Sequence, residues 1–162
     1  MKIELKNVKI NKMFSEETTC FIADVFINGK KTAYAKNDGR GGMTNIQPYT
    51  GMSLDEAYNY CKTLPKEFGY PQTIDSVIDD ILFEKEKEKE QKKIEKLCLT
   101  NIVWGKEGGM SYTKVGFKGN PKLQDLKKTT VGKNALKSLI DKVKKDYMKE
   151  GDILFNDNLA TI

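Results

Sequence analysis

The chain has 162 residues, 38% of them hydrophobic and 31% charged, with a net charge of +5 and no histidine. That length suits one domain and lets a core form without metal or disulfide staples, and the apolar and aromatic content is too high for disorder throughout. No stretch approaches the ~18 apolar residues of a membrane span, and Met1-Lys2-Ile3-Glu4-Leu5 reads into a strand, without the apolar run of a signal peptide.

Residues 2–13 form a first strand, with Ile3 and Leu5 on one face and Val8 and Ile10 on the other phase. That slip of one residue predicts a bulge or bend near Asn7. Residues 19–27 are the strongest strand: Phe21, Ala23, Val25 and Ile27 share a face, and Asp24 sits on the other among Cys20, Ile22 and Phe26. Asn28-Gly29 follows, the dipeptide a type I′ hairpin favours because both positions need positive φ. Lys30 to Lys36 returns as a third strand, making a three-stranded antiparallel meander.

Ser53-Leu54-Asp55-Glu56 has the form of a capping box and opens a helix with Leu54, Ala57, Tyr58 and Cys61 at helical spacing. Thr73 starts a second, long helix to about residue 99. Its apolar stripe (Ile74, Val77, Ile78, Ile81, Leu82) stops at the apolar-free run 84–93 and resumes at Ile94, Leu97 and Cys98. The run is either a solvated stretch of one helix or a disordered break. As a helix it is either a spacer or an arm through which two copies pair.

Residues 99–104 and 110–118 make a hairpin, and a short helical turn falls around 121–127. Thr129 or Thr130 caps a helix to about Glu150, with Leu136, Leu139, Ile140, Val143 and Tyr147 as its buried stripe and Gly151 just past its end. Ile153 to Phe155 is a short last strand. The order, without repeated βα units, is that of an α+β protein. It divides into 1–72, a meander plus helix; 73–99, a charged connecting helix; and 100–162, a hairpin plus helix. The alternative is one compact unit.

Lack of histidine removes the commonest general base and metal ligand. Cys20, Cys61 and Cys98 are too few and too scattered for a disulfide framework or a four-ligand zinc site; they read as small buried hydrophobes in a reducing cytoplasm. No cofactor or metal is expected. An enzyme would need carboxylates and a divalent metal, and no compact carboxylate constellation is visible. Asp75, Asp79 and Asp80 read as the acidic first turns of a helix. Asp152, Asn156, Asp157 and Asn158 lack the order of a calcium loop.

Two candidate surfaces remain. Asn37-Asp38-Gly39-Arg40-Gly41-Gly42 holds the one arginine among 28 cations and is followed by Met43, Ile46, Pro48 and Tyr49 in a loop. It lacks the Lys-Ser/Thr of a P-loop. It is either a plain turn leaving strand three or a binding loop for an anion or a protein, with Asn37, Asp38, Arg40, Met43 and Tyr49 as contacts. The second surface is basic. The segment 100–162 carries a net +5, and Lys137, Lys142, Lys144 and Lys145 of the last helix with Lys114 and Lys118 of the hairpin would make a nucleic-acid face. Against it stand Asp141, Asp146 and Glu150 and the near absence of arginine.

Lys2 to Lys9, Ser15 to Lys31 and Asn37-Asp38-Gly39-Arg40-Gly41-Gly42, with the tail Gly151 to Leu159, resemble small uncharacterised proteins of bacteriophages and mobile elements. No catalytic motif comes with the resemblance. It implies a cytoplasmic, non-enzymatic protein that blocks a host protein or defence complex, or sequesters its small nucleotide signal. The alternative is a nucleic-acid-binding accessory protein.

Overall fold

The computed structural model describes residues 1–108, 111–156 and 159. The fold is α+β, with two antiparallel sheets. The chain groups into two units, residues 1–85 and 86–162. The division falls inside the long helix and not at 72 and 99, because each apolar end of that helix belongs to a different core.

The first unit is built on strands β1 (Ile3–Ile10), β2 (Phe21–Ile27), β3 (Lys30–Asn37) and β4 (Asn45–Pro48), paired in the order β1-β2-β3-β4. The meander therefore has four strands where the sequence reading has three. Ile46 lies opposite Ala35 and packs against the core, which draws Asn45–Pro48 out of the expected loop onto the sheet edge. Pro48 suits an edge position. The register of β1 on β2 shifts between Lys6 and Lys9, with Asn7 at φ +52°. The bulge turns Ile3, Leu5, Val8 and Ile10 all toward the core. Asn28 and Gly29 hold φ of +50° and +83°, as a type I′ turn requires.

One face of this sheet is covered by α1 (Asp55–Cys61) and the start of α2 (Ile74–Cys98). Val25, Ala33, Ala35, Cys61 and Ile78 are wholly buried there. The small alanines of β3 let the helices approach closely, and burial of the aliphatic side chains supplies about 25 cal/mol per Å² of apolar surface. The Ser53 capping box does not form. Ser53 Oγ accepts from Asp55 N (3.1 Å) and donates to its carboxylate (2.7 Å), and the helix opens after Leu54, which is buried. The exchange forms instead at α2, where Thr73 N donates to Ser76 Oγ (3.0 Å) and Ser76 N to Thr73 Oγ1 (3.4 Å).

Helix α2 is continuous through 84–93, so the disordered break is absent. Lysine and glutamate propensity holds that stretch together, with Lys93 paired to Glu90 at 3.0 Å and Lys92 to Glu88 at 3.9 Å.

In the second unit β5 (Asn101–Lys106) is the central strand, between β6 (Tyr112–Gly116) and β7 (Asp152–Leu154). Alternation along β5 separates its neighbours. Ile102 and Trp104 face Leu136, Ile140 and Val143 of α4 (Thr130–Asp146) and Leu123 of α3 (Leu123–Leu126). Val103 faces Ile94 and Cys98 of α2. Thr129 caps α4, its Oγ1 accepting from Gly132 N at 3.1 Å. That helix ends at Asp146, short of the expected Glu150. Tyr147 is 55% exposed, not buried as the stripe implied, and tilts over Trp104 with ring centroids 6.4 Å apart. Met148 packs into the core, and Gly151 falls in the turn into β7.

Candidate functional site

The glycine-rich loop begins where β3 runs off the sheet. Asn37 is 7% exposed. Its Oδ1 accepts from Thr18 Oγ1 and Gly39 N, both at 2.8 Å, and its Nδ2 donates to Gly42 O (2.8 Å) and Thr44 Oγ1 (3.3 Å). Every polar atom of that side chain is thus engaged within the fold. Asn37 lines the cleft described below, but its amide is spent on shaping the loop and is not free to bond a partner. Gly39 O accepts from Glu16 N, Glu17 N and Thr18 N at 2.9–3.2 Å, and Gly41 N donates to Thr18 Oγ1 at 3.3 Å. The loop is thereby bolted to residues 15–18, and the Gly41 amide an anion would need is directed inward.

Asp38, Arg40 and Met43 are exposed. Asp38 Oδ1 accepts from Arg40 N at 3.2 Å in a local turn. Arg40 makes no ion pair among the described residues. Met43 is 79% exposed and lines a cleft of about 760 Å³ with Asn11, Cys20, Asp38 and Gly42. The rest of the cleft is the end of the sheet: the terminal row Ile10, Phe21 and Asn37, and the last cross-strand row of the uncovered face. Lys9, Ile22, Lys36 and Asn45 lie opposite one another there in register. Asn11 leads into a single 3₁₀ turn, Lys12–Phe14, whose Met13 and Phe14 are 89% and 56% exposed; Ile22 is 47% exposed. The sequence reading missed this turn, although Met13-Phe14 between polar neighbours signals an apolar pair with no strand or helix to bury it.

Tyr49 lies elsewhere on the same face, half-buried. Its hydroxyl donates to Asp24 Oδ1 at 2.9 Å. Asp24 also accepts from Asn7 Nδ2 (2.7 Å) and pairs with Lys31 Nζ (3.0 Å). Asn7 first, then Lys31 and Tyr49, hold the Asp24 carboxyl below the usual carboxylate range. The bulge at Asn7 therefore delivers a side chain to this cluster, and Tyr34 closes it, its ring 6.1 Å from that of Tyr49. Asp24 is one row along β2 from the cleft, about 7 Å by strand geometry.

Comparison with family models, curated proteins and solved structures finds no match to this chain.

The six lysines of the expected basic face do not share one surface. Helical spacing puts Lys137 and Lys144 on one flank of the buried stripe of α4 and Lys142 on the other, with Lys145 opposite the core. Lys118 lies in the turn beyond β6. Only Lys114 and Lys142 come together, at the rim of one cavity. Among the described residues no group of three His, Cys, Asp or Glu is placed to hold a metal, and no helix is long and apolar enough to cross a membrane. Asp152 pairs with Lys106 at 3.6 Å and Asn156 is buried, while Asp157 and Asn158 lie outside the described residues.

Asp79 takes part in a chain from the glycine loop to α2. Thr44 Oγ1, which accepts from Asn37, donates to Asp79 Oδ1 at 2.6 Å. Burial pushes the Asp79 carboxyl up; the Thr44 bond opposes this, and Asp75 and Asp80 add to it. A folded-state value above the unfolded one means stability is present below the ordinary ~3.9 and lost as pH rises through the folded value. Asp79→Asn keeps an oxygen for Thr44 and removes the charge. We expect it to raise the melting temperature near neutral pH and to leave it unchanged below about pH 4, as paired thermal melts of the two proteins would show.

Proposed function

We propose that this chain is a non-enzymatic binding protein acting in the bacterial cytoplasm. It docks on a host protein through the sheet end that carries the glycine-rich loop, and the resemblance to phage and mobile-element proteins points to a defence component as the target. The observation that carries the reading is the cleft itself. Met43 and Ile22 line it, and the Met13–Phe14 turn follows directly from its Asn11 wall. Single exposed apolar residues are ordinary, but large ones gathered at a cleft mark interaction surfaces. Lys9 and Lys36 against Asp38 give the cleft a cationic balance. With Arg40, which makes no ion pair among the described residues, beside it, this favours a partner whose apolar centre has an acidic border.

The test is capture of host proteins by the tagged chain, with and without nuclease, alongside Phe14→Asp/Met43→Asp and Arg40→Ala. We expect a stoichiometric protein that survives nuclease and about 0.3 M salt, where exposed charge pairs are screened. The double variant should weaken its capture at least tenfold, as removal of interface anchors does, with an unchanged melting temperature. Equal capture by the double variant, or capture lost on nuclease treatment, overturns the proposal.

A further inference from the structure

A second cavity, of about 270 Å³, opens in the second unit between the β5–β6 hairpin and α4. It is independent of the sheet end discussed above. Trp104 and Val143 are its buried wall, and Tyr147 is an exposed one. The two rings are inclined at 49°. Lys114 from β6 and Lys142 from α4 stand at it from opposite sides, and neither makes an ion pair among the described residues.

Trp104 is 5% exposed, yet its indole N–H has no hydrogen-bond partner among the described residues. A buried tryptophan N–H ordinarily finds an acceptor. Here the indole of a core residue lines an opening with lysines at it. The rest of the wall is Val115, Leu139 and Val143, with one polar residue, Thr113.

From this geometry we infer that the cavity between β5, β6 and α4 binds a nucleoside monophosphate, its base against Trp104 and Tyr147 and its phosphate between Lys114 and Lys142. Size supports a single base: sites for drug-sized ligands run from about 300 to 1,000 Å³, so this one admits one planar group and leaves a charged substituent outside. The exposed face of Tyr147 accepts any base by stacking, and with the two rings inclined at 49° an edge of that base is turned toward Trp104, where it supplies the acceptor the indole N–H lacks. Lysine binds phosphate as a point charge without needing the planar fork of arginine. Two lysines converging from different elements suit a phosphate at the mouth better than a strand running along the surface, which would call for a track of cations.

Trp104 is the sole tryptophan, so its emission reports the site directly. Titration of the full chain with AMP, GMP, CMP and UMP, one at a time, is expected to give saturable quenching for at least one. The matching nucleoside and inorganic phosphate should give none at the same concentrations. Lys114→Gln/Lys142→Gln should weaken that nucleotide about tenfold or more, the worth of a lost charge-assisted contact, while Lys137→Gln, on the other flank of α4, should bind as before. Circular dichroism melts confirm that each variant folds. The inference is overturned if all four nucleotides leave the emission unchanged to millimolar concentration, if nucleoside or phosphate alone matches the nucleotide, or if the double variant binds equally well. A short single strand that binds more tightly than any mononucleotide, with equal loss in Lys137→Gln, would also overturn it in favour of a strand-binding surface.

Discussion

Asn156→Ala is expected to destabilise the second unit by about 3–5 kcal/mol, the largest effect of any single polar truncation in that unit. The side chain is 4% exposed and serves three backbone groups. Its Oδ1 accepts from Val103 N at 2.7 Å; its Nδ2 donates to Asn101 O at 2.8 Å and to Cys98 O at 3.2 Å. One amide thereby joins the end of α2 to the first residues of β5 and fixes the segment after β7 against both. Alanine strands a donor and two acceptors where water is excluded, and each stranded group costs about 1–3 kcal/mol. Asn156→Asp discriminates between loss of shape and loss of hydrogen bonds. It keeps the acceptor for Val103 but sets a carboxylate oxygen against two carbonyls, which raises its folded-state pKa. Its stability deficit should therefore shrink as pH falls through that raised value and stop changing below the ordinary carboxylate value of about 3.9. Urea unfolding followed by indole emission reads both variants, since Trp104 adjoins Val103. A loss below about 1 kcal/mol for Asn156→Ala would show that the amide is dispensable.

The second large effect is expected at Gly39. Its φ is +86°, and a Cβ there would overlap the carbonyl oxygen of Phe14 and come within 2.9 Å of the Cys20 Cβ. Alanine meets the left-handed backbone penalty of about 1–2 kcal/mol and a backbone clash that no rotamer relieves, so we expect a total of about 2–5 kcal/mol. The same loop holds its own control. A Cβ at Gly42 meets nothing within 4 Å, so Gly42→Ala should stay within about 0.5 kcal/mol. Thermal melts of the two alanine variants test the pair. Equal effects would mean that the loop is not bolted to residues 15–18 as the hydrogen bonds indicate.

Local signals of the fold were legible where one or two residues determine the backbone. The slip in apolar phase around Asn7 announces a bulge, and Asn28-Gly29 announces a turn because few residues tolerate positive φ. The apolar stripes of α2 and α4 announce buried faces by their period. Strand β4 was not legible. Asn45-Ile46-Gln47-Pro48 has little strand propensity and gains its conformation from pairing with β3, a tertiary effect.

The same divide runs through the sites. Arg40 and Met43 stand out by composition and by their exposed setting. Asn37 looked equally available, and only the distant partners Thr18 and Thr44 show that it is consumed internally. Asp24 was visible as an acid in an apolar strand, but its partners come from the bulge, the next strand and the segment after β4. The lysines were grouped by count when their helical phase separates them.

The charged middle of α2 bears on how this chain tolerates change in length. Ile74, Ile78 and Leu82 tie one end of the helix into the first core, and Ile94 and Cys98 tie the other into the second. Residues 84–93 hold no apolar side chain to set a register, so adding or removing whole turns there would leave every contact within both cores in place. Length variation among homologous chains should therefore collect in this stretch, while the apolar positions on either side keep their spacing.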